Sequence, residues 1–164
     1  MEILEIHSLD TLANGGRDAA PSIPPDVMVA DLLGLMAELD PTIAVTPEML
    51  RAAIEDPDTH VFVVVDEGNP ERIVGTGTLC VLRTPTGTKG RIEDVVVSHE
   101  CRGLGLGKRL LEYMIEFARR EFSQEGLAPA ELQLTSRPSR EAANTLYRSL
   151  GFHQHETNVY KLEL

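Results

Sequence analysis

Three alternating glycines stand between two basic residues in the run Cys101-Arg102-Gly103-Leu104-Gly105-Leu106-Gly107-Lys108. The run follows a Val-rich stretch and precedes an apolar pattern of helical period, so it is expected to join a strand to a helix. Glycines remove side chains from such a turn and let backbone N–H groups converge on one point. The helix that opens there adds its unpaired N–H groups and the positive end of its dipole. With Arg102 and Lys108 flanking it, the turn is suited to a pyrophosphate or another compact dianion. Each hydrogen bond to such an anion is worth roughly 1.5–3 kcal/mol. The structural alternative is a tight turn with no ligand. Two familiar phosphate motifs are excluded. In a P-loop reading, Gly107-Lys108 is followed by Arg109 rather than Ser or Thr, and Arg102 stands where the first glycine belongs. The dinucleotide pattern G-x-G-x-x-G fails at Lys108 from Gly103 and at Leu110 from Gly105.

A second reactive group lies just upstream. Glu93 and Asp94 adjoin, so in a regular strand they point to opposite faces, and only one can face a substrate unless the strand is bulged. Either carboxylate is a candidate proton acceptor; the alternative is a solvated strand end.

The elements that must position these residues follow from periodicity and turn chemistry. Residues 2–7 alternate as a strand, and Ala13 to Pro25 is a loop with Gly15-Gly16 and three prolines. Asp26 to Leu39 places Val29, Leu32, Leu33, Met36 and Leu39 at helical steps. Thr46 is the expected N-cap of a second helix, with Pro47 at its first position and Asp56-Pro57 at its end. His60 to Asp66 reads as a buried strand and Arg72 to Leu82 as its hairpin partner across Gly68-Asn69-Pro70. Gly90 to Ser98 is a third strand. Residues 107–122 form a helix with Leu106, Leu110, Met114 and Phe117 on one face, ended by Glu125-Gly126 and Pro129. Glu131 to Thr135 is a strand. A helix opening at Ser139 runs to Leu150, and Gly151 ends it in the left-handed conformation. His155 to Leu164 is expected to be a strand or hairpin. The order is β-α-α-β-β-β-α-β-α-β, an antiparallel meander followed by a crossover to a parallel strand.

At 164 residues the chain is expected to form a single domain over 1–164. It has seven aromatic residues and no Trp, so the core must rest on aliphatic side chains. Its net charge of −11 argues against sequence-independent nucleic-acid binding. The charge is uneven. Residues 1–100 carry 18 acids and 6 bases, a net of −12, and residues 101–164 carry 8 acids and 9 bases, a net of +1. The second part therefore tolerates an anion that the first would repel. The longest unbroken apolar run, Val61 to Val65, is too short to span a bilayer. The acidic start Met1-Glu2-Ile3-Leu4-Glu5 is unlike a signal peptide. Cys80 and Cys101 are the only cysteines, so no zinc cage or other metal site is expected. The cytoplasm is the expected location.

The pattern Arg/Gln-x-x-Gly-x-Gly/Ala, filled by Arg102, Gly105 and Gly107, resembles the coenzyme A motif of the GNAT superfamily of N-acetyltransferases. Asn144-Thr145-Leu146-Tyr147-Arg148-Ser149-Leu150-Gly151-Phe152 resembles that family's second motif, in which an Asn, a Tyr and a terminal Gly-Phe recur. The likeness covers residues 58–164 well and the first part in outline. Lys89 to Val97 is also similar to a strand of glucosamine-6-phosphate N-acetyltransferases that carries Gly-His-Ile-Glu-Asp, with Arg91 here in place of His.

The resemblance implies a mixed α/β fold of the acyl-CoA N-acyltransferase type with splayed central strands, and acetyl-CoA as co-substrate. It implies that Arg102, Gly103, Leu104, Gly105, Leu106, Gly107 and Lys108 hold the pyrophosphate. Val95, Val96 and Val97 would offer backbone N–H groups to the cofactor, one of them polarising the thioester oxygen. Glu93 is the expected general base or orients a base water, with Asp94 the alternative. Tyr147 would act as general acid toward the coenzyme sulfur, the alternative being a ring packed under the sheet. Asn144 would bond the pantetheine arm or the helix start. Arg137 and Arg140 would meet the coenzyme 3′-phosphate or an anionic acceptor, or lie in a solvated loop.

The expected activity is direct acetyl transfer to a primary amine of a small-molecule acceptor. The charge division favours a cationic acceptor. The alternatives are a glucosamine-6-phosphate acceptor, a protein or peptide amine, and a non-catalytic acyl-CoA-binding module. No nucleic-acid or membrane partner is expected, and a homodimer is allowed for.

Overall fold

The computed structural model describes residues 1–7, 23–124 and 130–163. The expected loop at 13–25, apart from its last three residues, lies outside them. So do the helix-ending Glu125-Gly126 and Pro129. Two compact units are distinguished, Met1–Leu134 and Thr135–Leu164.

The first unit contains β1 (Glu2–Ile6), α1 (Pro25–Leu39), α2 (Pro47–Glu55), β2 (Thr59–Val65), β3 (Ile73–Thr84), β4 (Gly87–Val97), α3 (Leu106–Gln124) and β5 (Ala130–Leu134). A short 3-10 turn over His99–Cys101 links β4 to the glycine run. The strands lie side by side in sequence order as one sheet. β1 to β4 pair antiparallel, and the crossover through α3 brings β5 in parallel to β4, as the element order predicts.

The run Val61 to Val65 shows why this sheet is layered. Val61, Val63 and Val65 join Met28, Leu32, Leu35 and Ile54 in one cluster, against α1 and α2. Phe62 faces the other way, with its ring 5.1 Å from Phe117 and 5.7 Å from Tyr113 of α3. A strand covered on both faces is apolar throughout rather than alternating. α3 buries Leu106, Leu110, Met114 and Phe117, as its spacing predicts, and also Leu111, Ala118 and Phe122. α2 begins as expected: the Thr46 hydroxyl accepts a hydrogen bond from the Met49 N–H at 3.3 Å, with Pro47 at the first position.

Two expectations about β-structure need correction. The pairing of β3 with β4 runs Thr78↔Glu93 and then Thr76↔Val96, so β4 uses one residue more than β3. Asp94 takes up that extra residue at φ +53°. This is a bulge, and strict alternation of Glu93 and Asp94 does not survive it. The expected final strand is also missing. Residues 153–163 form no strand, and Val159, Tyr160 and Leu162 are exposed. Their alternation suits a strand, but a strand forms only against a partner edge, and this segment pairs with none among the described residues.

The second unit contains α4 (Glu141–Ser149), which starts two residues later than the Ser139 opening predicted from sequence. Gly151 ends it at φ +91°, the left-handed conformation expected there.

Phe62 is completely buried. Phe62→Ala should therefore lower the unfolding free energy by about 3–5 kcal/mol in urea denaturation. A loss below about 1 kcal/mol, typical of a surface change, would contradict the two-faced core.

Candidate active site

The glycine run leaves the 3-10 turn with Gly103 at φ +81° and Gly105 at φ +76°. Side chains rarely adopt that conformation, which is the reason for glycine at both places. A Cβ at either would meet nothing within 4 Å, so the space beside the loop is open. The first hydrogen bond of α3 runs from the Arg109 N–H to the Gly105 carbonyl at 3.2 Å. The N–H groups of Leu106, Gly107 and Lys108 precede it, and a helix leaves such groups without an intrahelical partner. Backbone donors, a helix dipole and open space therefore coincide, and this arrangement fits a pyrophosphate.

The two flanking bases each engage an acid. Lys108 pairs with Glu112 one turn along α3, at 3.7 Å. Arg102 turns toward α1: its Nε donates to the Val97 carbonyl at 3.2 Å and its Nη2 to Glu38 Oε2 at 3.3 Å. Both bases are exposed, and such pairs contribute about 0–1 kcal/mol.

Glu38 was not visible as a site residue from sequence. It lies near the end of α1 and accepts from the His99 backbone N–H (2.8 Å), His99 Nδ1 (3.0 Å) and the Ser98 hydroxyl (3.4 Å), besides Arg102. Burial pushes its carboxyl pKa up. The hydrogen bonds from His99 and the charges of His99 and Arg102 outweigh that and hold it below the ordinary value.

Upstream, β4 runs on past the end of β5. Their pairing runs from Thr88↔Ala130 to Ile92↔Leu134, and β4 continues through Val95, Val96 and Val97 beyond the last pair. Glu93 is partly buried and forms a close ion pair with Arg91 Nε. Lys89 pairs with Glu131 at 3.2 Å. Asp94 keeps an exposed surface, yet the protein atoms around its carboxyl raise its pKa, and repulsion from Glu93 adds to the effect. Of the two adjacent acids, Arg91 engages Glu93, while Asp94 has the raised proton affinity.

In the second unit, Asn144 Nδ2 donates to the Arg137 carbonyl at 2.9 Å, and the Asn144 N–H to the Arg140 carbonyl at 2.9 Å. Asn144 thus ties down the entry to α4. The Tyr147 ring lies edge-on to Phe152 with centroids 6.2 Å apart. Burial pushes the Tyr147 phenol up from its usual pKa, with the Arg140 charge opposing, so it holds its proton at neutral pH. Ser136, which the sequence reading passed over, has a hydroxyl shut off from solvent with no hydrogen-bond partner among the described residues. Such an atom ordinarily has a partner.

Among the described residues, no group of three or more His, Cys, Asp or Glu is placed to hold a metal ion. No helix there is long and apolar enough to cross a membrane.

A mixed sheet with a glycine loop opening a helix after its fourth strand defines an acyltransferase architecture, and known proteins agree. The family model described as "Acetyltransferase (GNAT) family" matches residues 31–152. The chain belongs to that family. It is 33% identical to glucosamine 6-phosphate N-acetyltransferase 1 of Oryza sativa subsp. japonica over 67% of this chain and 73% of the relative. A solved acetyltransferase of Trypanosoma brucei matches with a TM-score of 0.63 at 27% identity, covering 83% of this chain and 92% of that one. An aminoglycoside acetyltransferase from an uncultured soil metagenomic sample shares the fold, with a TM-score of 0.66 at 20% identity over 99% of this chain and 96% of the other.

The raised pKa of Asp94 carries a sign. The folded state holds this proton more tightly than the unfolded chain, so ionisation of Asp94 destabilises the fold as pH rises above the ordinary Asp range. Asp94→Asn keeps a residue that tolerates positive φ. It should be more stable than wild type at pH 7, and the two unfolding curves should converge as pH falls toward about 4. Equal stability at both pH values would show that Asp94 is not perturbed.

Proposed function

We propose that the chain transfers the acetyl group of acetyl-CoA directly to a primary amine of a small-molecule acceptor. The observation that carries the reading is the pair of left-handed glycines beside open space at the start of the 19-residue α3. In the transfer, the amine nitrogen attacks the thioester carbonyl carbon, a C–N bond forms and the C–S bond breaks. The amine gives up a proton and the departing thiolate takes one. Backbone N–H groups of the 95–97 segment polarise the thioester oxygen. Asp94 accepts the amine proton, directly or through water, with Glu93 beside it. Tyr147 supplies a proton to the thiolate, a role supported by the second motif and by a phenol that stays protonated. Burial raises the Cys80 thiol pKa, which disfavours a thiolate nucleophile and supports direct transfer.

The acceptor we propose is cationic. Residues 1–100 carry the acidic excess, and the two bases of β4 nearest Glu93 already face carboxylates at Glu131 and Glu93. A field of that sign concentrates an ammonium and repels a phosphate. One observation favours a second reading, with glucosamine 6-phosphate as acceptor: the 33% identity to a plant enzyme of that name.

The test is release of free thiol from acetyl-CoA across a panel of polyamines, unphosphorylated amino-sugars, amino-acid amides and glucosamine 6-phosphate. Turnover of the cationic amines is expected, with their KM raised at about 0.5 M salt as the Debye length shrinks. Turnover of glucosamine 6-phosphate alone would establish the second reading. Acetyl-CoA binding without turnover of any amine would mark a non-catalytic acyl-CoA-binding module.

Tyr147→Phe removes a proton and leaves the ring. It should lower kcat by about 10²–10⁴-fold with little change in KM for acetyl-CoA. An unchanged kcat would reassign Tyr147 to packing against Phe152.

A further inference from the structure

We propose that Glu38 is an internal counter-anion of the donor loop, holding Arg102 until the donor's pyrophosphate takes the guanidinium over. The inference rests on the donor reading above and adds a residue that lies outside both family motifs. Glu38 belongs to α1, yet its carboxylate gathers four donors at the root of the glycine run. Those donors differ in how firmly they are placed. The His99 N–H and ring nitrogen lie at 2.8 and 3.0 Å and belong to a turn that is held from its other side as well. There, Arg72 just before β3 reaches Glu100 at 2.9 Å. Arg102 reaches Glu38 at 3.3 Å through the end of a long side chain that is 59% exposed, with no backbone donor of its own on that carboxylate.

The guanidinium is therefore the part that can move, while Glu38 stays bound to the turn. Arg102 has five N–H donors, of which the Val97 carbonyl and Glu38 take two. A residue that only tied α1 to the turn would need an acceptor, not a charge. The charge does two further things. It pre-sets Arg102 beside the loop, and it competes with an arriving anion for the guanidinium. A small anion must then displace Glu38 in exchange for one new ion pair. A pyrophosphate also collects the N–H groups that open α3, so it overcomes the competition.

The variant that separates charge from hydrogen bonding is Glu38→Gln. It keeps an acceptor for the His99 N–H and removes the competitor for Arg102. Calorimetric titration with coenzyme A should show tighter binding, by about 2- to 5-fold, the factor an exposed ion pair carries. In an Arg102→Gln background the same change should leave affinity unaltered. A merely structural Glu38 predicts weaker or unchanged binding with Arg102 present, and either result overturns the proposal. An independent readout uses the wild-type chain labelled with ¹⁵N. On adding coenzyme A the Arg102 Nε–H signal should shift, and the His99 amide, still bonded to Glu38, should keep its position. An unmoved Arg102 signal in a saturated sample overturns the proposal even if Glu38→Gln does not fold. Failure of wild type to bind coenzyme A at all would instead remove the donor reading, and this inference with it.

Discussion

The extra residue in β4 is the constraint on which the donor end of this protein depends. Along one edge β4 stays paired with β3 as far as Gly75↔Val97. Along the other its ladder with β5 stops at Ile92↔Leu134. Between the two limits the described ladder of β4 is with β3 alone. A bulge there bends the strand and sharpens its twist. Asp94 absorbs the change in the left-handed region, which Asp tolerates better than most residues. The direction set at that point carries into the buried Ser98, the 3-10 turn, the glycine run and the first turn of α3. The same bulge separates the chemistry of two adjacent carboxylates. Glu93 keeps an ion-pair partner within β4, and Asp94 is left with a raised proton affinity.

An acidic protein that binds an anion must solve a local problem against its overall field. For the pyrophosphate proposed at the glycine run, neutral donors would carry most of the solution. The bases beside the loop are exposed and engaged with acids, Arg102 with Glu38 and Lys108 with Glu112, and pairs of that kind contribute about 0–1 kcal/mol. Hydrogen bonds from backbone N–H groups to a charged oxygen contribute roughly 1.5–3 kcal/mol each. Several can act together where two glycines and a helix start converge. The loop's architecture therefore matters more than its side-chain charge, and a net charge of −11 is compatible with a phosphorylated co-substrate.

The packing supports this arrangement from both faces. α3 covers Phe62 and the aliphatic residues on one side of the sheet, while α1 and α2 cover Val61, Val63 and Val65 on the other. α1 is more than a cover. It carries Asp31, whose carboxylate accepts the Ile73 N–H at 2.7 Å at the start of β3, and Glu38, which holds the turn after β4. One helix thus ties down the beginning of one central strand and the end of the next.

By itself the sequence determined what depends on neighbouring residues. The glycine spacing specified a strand-to-helix turn whose backbone N–H groups are bare of side chains, because glycine alone has none. Thr46 and Pro47 marked a helix start, since a capping hydroxyl and a fixed φ act within one turn of chain. The run from Val61 to Val65 announced a strand covered on both faces. Tertiary structure alone decided what depends on pairing across the chain. Glu38 meets His99 and Arg102 across 61 and 64 residues of sequence, and no local pattern marks that meeting. The orientation of Arg102, the pairing of Arg91 with Glu93 and the bulge at Asp94 all follow from sheet register. The residues from 153 onward show the limit most plainly. Alternating apolar side chains make a segment able to be a strand, but the hydrogen bonds that make it one must come from a neighbouring edge.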